Sequence, residues 1–251
     1  MSEQDRPPGP PILSLRDVRV SYWRRRGLLS RSRHWALHNV SFDLHRGESL
    51  GVVGRNGVGK STLLRLLAGV MLPDKGTLVR RADRVTLLTL RLGFLEYLSG
   101  RENIVLGGLF LGLSRREIEA RAQSIIDFSE LAEAIDQPVV TYSSGMKARL
   151  GLAVALQAEP DVLLVDEVTG VGDHQFRKKS FAAMQERIRS RSTTVVFVSH
   201  NASHVRRLCS RAVWIEDGVT RMEGEVGRVV DAYEAWVDGR PEPAAPGIRA
   251  A

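Results

Sequence analysis

Apolar and polar residues alternate along ILSLRDVRVSY, Ile12 to Tyr22, and again along ALHNVSFDLH, Ala36 to His45, which predicts two strands of an antiparallel β layer. The pattern then shortens. SLGVVG, Ser49 to Gly54, is an apolar strand ending in a Gly-rich turn, and KSTLLRLLAGV places Leu63, Leu64, Leu67 and Ala68 on one helical face. From about Arg101 to Gln157 the signals are helical: SRREIEARAQSIIDF opens on a Ser114 and Glu117 capping box, and GMKARLGLAVALQA is an apolar helix stopped before Pro160. Strands return at DVLLVDE and TTVVFVSH, with the helical HQFRKKSFAAMQERIRS between them. That alternation predicts an α/β fold with a parallel sheet and crossover helices. RAVWIEDGVTRMEGEV reads as a hairpin turning at Asp217 and Gly218, followed by a helix containing VVDAYEAWV.

The 251 residues suffice for a substantial core. Residues 1–11 and 239–251 have the Pro, Ala and Gly character of disordered tails, leaving 12–238 as the folded domain. The single Cys209 forms no internal bridge and the N-terminus has no apolar leader, which points to a reducing, cytoplasmic setting. The longest apolar stretches, such as IVLGGLFLGL, fall short of the ~20 residues of a spanning helix. Net charge is +7, and the pI is about 10.0. Most of the Arg is interleaved with acids, so a nucleic-acid partner is not expected. The exception is WRRRGLLSRSRHW, Trp23 to Trp35, a basic insertion with no acid in it. It could meet lipid phosphate, or be a solvated loop.

GRNGVGKS, Gly54 to Ser61, matches G-x-x-x-x-G-K-[ST] at every fixed position, between a predicted strand and helix. Backbone N–H groups from Gly54, Arg55, Asn56, Gly57, Val58 and Gly59 through Thr62 would cradle phosphates at a helix N-terminus. Lys60 would reach the β- and γ-phosphates of ATP, and Ser61 would ligate Mg²⁺. LLVDE ends a strand in Asp166, suited to Mg²⁺, and Glu167, suited to orient or deprotonate the attacking water. His200, at the end of VVFVSH, falls where ligands of parallel sheets collect and would hydrogen-bond the γ-phosphate or the water.

The P-loop, then YSSGM, LLVDE, VGD and SHN resemble in order and spacing the nucleotide-binding domain of ABC transporters, from about Leu13 to Val237. The resemblance implies a cassette with a RecA-like parallel-sheet lobe, an antiparallel β subdomain and an inserted helical subdomain at about 101–157. It makes Tyr142 to Met146 the signature loop. Ser143, Ser144 and Gly145 would then contact the γ-phosphate of ATP held by a second copy of the chain. Asp173 would cross the dimer seam, and Tyr22 resembles the aromatic that stacks on adenine, with Trp23 and Trp35 as alternatives.

A narrower resemblance, carried by YSSGM, DEV, VGD, LSGREN and GRNGVGKSTLLRLLAG, is to ATPase subunits of polysaccharide exporters of the O-antigen, capsule and teichoic-acid type. It places Thr89 where that group often has Gln or Glu facing the nucleophile. It implies a homodimer at the cytoplasmic face of the inner membrane, docked near Leu92 to Leu98 on a separate permease that exports a lipid-linked polysaccharide. The other readings are an ABC ATPase of a different transport system and a soluble nucleic-acid-associated one.

Overall fold

The computed structural model describes residues 9–25, 31–88, 93–157, 159–166, 173–189 and 193–239. The chain falls into two compact units, Met1–Asp83 with Thr194–Ala251, and Arg84–Thr193.

In the first unit the alternating segments become β1 (Leu13–Arg25) and β2 (Arg31–Leu44), paired antiparallel from Leu13 opposite Leu44 to Arg25 opposite Arg31. Their inward residues Leu13, Leu15, Val18, Val20, Leu37, Val40, Phe42 and Leu44 are buried. The sequence pattern ended these strands near Tyr22 and Ala36. Instead both continue into the basic stretch, whose flanks are the ladder of a long hairpin, with 26–30 outside the described residues. Nor is that stretch without acid neighbours. Arg33 pairs with Asp74 at 2.8 Å, donates to Ser21 at 2.6 Å and lies 4.4 Å over the Trp35 ring.

β3 (Ser49–Val53) lies between two parallel neighbours and is almost wholly buried. On one side is β7 (Thr194–Val198) and on the other β8 (Arg211–Glu216). Continuous burial on both faces explains an unbroken apolar run in place of alternation. β8 turns at Asp217 and Gly218 into β9 (Val219–Glu225), which meets β2 at Asn39. Helix α1 (Lys60–Leu67) follows β3, and its buried set adds Leu66 to the predicted face. At the outer edge β4 (Lys75–Arg80) pairs with β1; it has no buried position, so no hydrophobic period announced it. Helix α6 (Ala202–Leu208) packs on β3, and α7 (Val226–Val237) on β8 and β9. Cys209 is buried, which pushes its thiol pKa up. The end of the N-terminal stretch is tied down rather than loose: the Pro11 carbonyl accepts from Arg81 at 2.8 Å, and the Ile12 N–H donates to Leu44.

The second unit pairs β5 (Val85–Leu88) in parallel with β6 (Val162–Asp166), Leu88 opposite Val165. Its helices are α2 (Gly100–Phe110), α3 (Arg115–Ser129), α4 (Ser144–Ala155) and α5 (His174–Arg189). Ile104, Ile118, Ile125, Ile126, Leu150 and Val154 share one core with Tyr142, whose hydroxyl donates to the Ala134 carbonyl at 2.6 Å. Asn103 is fully buried in α2 and holds the preceding loop. Its amide donates to the carbonyls of Leu95, Leu98 and Ser99, and its oxygen accepts from the Leu95 N–H. Among the described residues, no helix is long and apolar enough to cross a membrane.

Four helix starts, those of α2, α3, α5 and α7, use carboxylates. Backbone and hydroxyl donors at Ser99 and Ser114 hold Glu102 and Glu117 below the usual carboxylate range, and N–H groups of α5 and α7 do the same for Asp173 and Glu225. A depressed folded pKa stabilises above the ordinary value and is lost as pH falls through the folded one. Urea midpoints should therefore drop as pH is lowered from about 4.5 to 2, and drop less in Glu117→Gln. Asn103→Ala should cost about 1–3 kcal/mol at neutral pH, because it removes the carboxamide that bridges the loop and leaves the Leu95 N–H without its acceptor; a loss near zero in urea titration would show that the loop does not depend on it.

Candidate functional site

The P-loop begins where β3 leaves the sheet at Val53 and ends in the first turn of α1. The chain enters that helix through Gly59 at φ +102°, a left-handed conformation open to glycine. A Cβ there would also sit 2.4 Å from the Ala36 carbonyl oxygen. The turn sends Lys60 back along the loop, and its Nζ donates to the carbonyls of Gly54 at 2.6 Å and Arg55 at 2.8 Å. A half-circle of backbone around an ammonium at a helix N-terminus suits a phosphate chain. Ser61 is exposed in the same first turn, while Val58 and Thr62 are buried beneath it.

Two further candidates lie in the first unit. Parallel pairing of Val52 with Val198 carries β7 out beside β3, and the Ser199 N–H donates to the Val52 carbonyl. His200 follows, exposed at the same end of the sheet as the P-loop. Tyr22 shares a 3.2 Å hydrogen bond with Thr62 and donates to the Met71 sulfur at 3.7 Å, so its ring lies against the start of α1. Trp23 is 69% exposed. Trp35 instead lines a cavity of about 420 Å³ with His38, Arg55, Gly57, Glu216 and Asp217. Glu216 did not stand out in the sequence as a site residue, although the helix α7 that packs on its strand did appear there as an element. The available signal was an acid closing an otherwise apolar strand, WIEDG.

The remaining candidates belong to the second unit. Asp166 ends β6 exposed, next to Val165, which pairs with Leu88. The residue after Leu88 is Thr89, which with Glu167 lies outside the described residues. Exposed Ser143 caps α4, its hydroxyl accepting from the Met146 N–H at 3.2 Å. Ser144 is exposed beside it, and a Cβ on Gly145 would meet nothing nearer than the Ser143 oxygen at 3.7 Å among the described residues. Asp173 caps α5, accepting from the Phe176 N–H at 2.9 Å, and pairs with Arg149 of α4 at 3.2 Å. That pair ties the corner's helix to the segment expected at the dimer seam. Glu130, at a left-handed φ of 58°, bridges Arg149 and Lys179 and completes the tie.

This geometry defines a P-loop, a cradle for phosphate between a strand and a helix. A family model described as ABC transporter matches residues 37–170, more than half of the chain, and the chain belongs to that family of ATP-hydrolysing cassettes. It is 44% identical over 207 residues to the O-antigen export system ATP-binding protein RfbB of Klebsiella pneumoniae, covering 82% of this chain and 84% of that one. It is 41% identical over 204 residues to the teichoic acids export ATP-binding protein TagH of Bacillus anthracis, covering 81% of this chain and 37% of that longer one. The fold superposes on a dimeric ATP-binding cassette bound to ADP and Pi with a TM-score of 0.71 at 23% identity, covering 85% of this chain and 98% of the other.

The two glycines make opposite predictions. Gly59→Ala should cost at least about 1–2 kcal/mol in urea unfolding, since it combines a left-handed φ with a backbone clash. Gly145→Ala should be neutral or stabilising by up to about 1 kcal/mol, as alanine is the better helix former.

Proposed function

We propose that the chain is the ATP-hydrolysing subunit of an exporter of lipid-linked polysaccharide, working as a homodimer on a separate membrane permease. The observation that carries the dimer is the Ser143–Gly145 corner. A helix N-terminus with three small residues, two of them exposed and the glycine free of any contact that requires it, suits a phosphate presented from outside the chain. On this reading the P-loop of one copy holds ATP, and Ser143, Ser144 and Gly145 of the other complete the cage. The export reading draws on the relatives, whose names give O-antigen and teichoic-acid export.

In each half-site Lys60 and the P-loop amides bind the β- and γ-phosphates, and Glu167 orients the attacking water and takes its proton. His200 holds the γ-phosphate or the attacking water, Thr89 is assigned to the water, and Tyr22 supports the adenine. Ser61 and Asp166 would hold Mg²⁺, since both offer the oxygen donors that this ion takes. The ion, when bound, neutralises charge on the β- and γ-oxygens. Asp173, tied to α4 through Arg149, keeps the seam and the corner moving as one piece.

A permease has a surface to press on. Leu95 is 53%, Tyr97 90% and Val140 52% exposed, and the Val140 N–H donates to the Glu96 carbonyl at 2.8 Å, which sets the three side by side. Asn103 fixes the loop that presents them. Such an apolar group on a charged surface marks a protein contact. Docking there would place the chain at the cytoplasmic face of the membrane.

Gly145→Asp should leave ATP affinity within about twofold and lower the hydrolysis rate by about 100-fold or more, the scale of removing donors to transition-state charge. Mixing it with a Lys60→Ala chain should restore one working site per dimer; no recovery in the mixture would refute completion in trans. Tyr97→Asp should leave ATP hydrolysis by the isolated chain unchanged and reduce surface polysaccharide in cells.

A further inference from the structure

We infer that Glu216 and Trp236 are positioning residues for the phosphate-binding loop, acting through Arg55, so that the grip on ATP depends on the last turn of α7. The inference rests on the reading of Gly54–Thr62 as the ATP phosphate site. Arg55 faces two ways. Its carbonyl accepts the Lys60 ammonium at 2.8 Å. Its guanidinium runs away from the loop: Nε donates to Glu216 Oε1 at 2.8 Å, Nη2 lies 2.6 Å from the same oxygen, and the central carbon sits 4.5 Å over the Trp236 ring.

Both anchors are fixed by the fold. Glu216 ends β8, whose neighbour β3 runs parallel to it with Val53 opposite Trp214, so the carboxylate arrives level with the start of the loop. Trp236 is held by Trp214, ring to ring at 5.3 Å, and Trp214 in turn meets Tyr233 of the same helix at 5.9 Å.

Burial decides which end moves. The Glu216 side chain is 1% exposed and that of Arg55 57%, so the carboxylate is the post and the arginine the arm. Glu216 Oε2 has no hydrogen-bond partner among the described residues, and lifting Arg55 away would strand a buried charge. The loop is thereby held down by a penalty on release. The indole adds an attraction that depends on an aromatic face and not on bulk alone. Contacts then run without a break from α7 to Arg55 and from the Arg55 carbonyl to Lys60.

The test uses the full chain and measures ATP affinity by calorimetry, alongside KM and kcat. Trp236→Leu and Glu216→Gln should each weaken ATP binding about three- to tenfold with kcat at saturating ATP held within about twofold. Trp236→Phe, which keeps an aromatic face, should recover most of the affinity. In an Arg55→Met background, Trp236→Leu should have no further effect, because the arm through which it acts is gone. A merely structural role would lower the melting temperature and kcat together and add to Arg55→Met. Unchanged affinity in Trp236→Leu, or the same loss with and without Arg55, overturns the inference. Lys60→Ala separates the underlying reading: if it binds ATP like the wild type, the phosphate assignment fails and the inference with it.

Discussion

Parallel pairing of β3 with β7 on one side and β8 on the other is the constraint from which the first unit's chemistry follows. A parallel ladder brings the C-terminal ends of neighbouring strands out at one edge, and three strands here deliver three loops to it. β3 delivers the P-loop, β7 delivers His200 and β8 delivers Glu216. None of these residues is adjacent in sequence. Their meeting depends on a strand buried on both faces, because a slip in register would carry every loop with it.

What the sequence disclosed follows from where the physics is local. A phosphate loop needs glycines, a lysine and a hydroxyl at fixed spacing, so Gly54 to Ser61 was legible at once. The Ser114 and Glu117 capping box was legible for the same reason, being complete within four residues. Elements stabilised from far away were not. β4 has no buried face, so its six residues carry no period. The extension of β1 and β2 into the basic stretch is held by cross-strand pairing and by Asp74, some forty residues downstream of Arg33. Asn103 looked like a family marker in LSGREN, whereas its role comes from three carbonyls that one carboxamide can reach only when the loop has already folded over it. The candidate site divides in the same way: the P-loop was legible from spacing, while the anchoring of Arg55 by Glu216 and Trp236 involves residues more than 160 positions away.

Arg149 gives the second unit a comparable economy of means. One guanidinium reaches Asp173 at the start of α5 and Glu130 at the end of α3, while its plane lies near Phe176. Three helices thus share a charged joint over an aromatic contact between Phe128 and Phe176. A joint of this kind resists shear between helices more than rigid-body movement of all three, since movement together breaks none of the ion pairs. The corner at Ser143 and the cap at Asp173 would then advance toward a partner as a set.

The outer strand β4 has a bearing on how such a chain behaves at rest. Sheet edges invite uncontrolled pairing with other chains, and natural proteins blunt them with charge. Here the edge begins at Lys75, ends at Arg80 and continues into Arg81, with Gly76 in a left-handed turn at its start. An edge so armed discourages strand-to-strand association that would need no nucleotide. In the homodimer proposed above, self-recognition would then fall to the phosphate-facing surface, and the oligomeric state would become a gauge of the cell's energy charge.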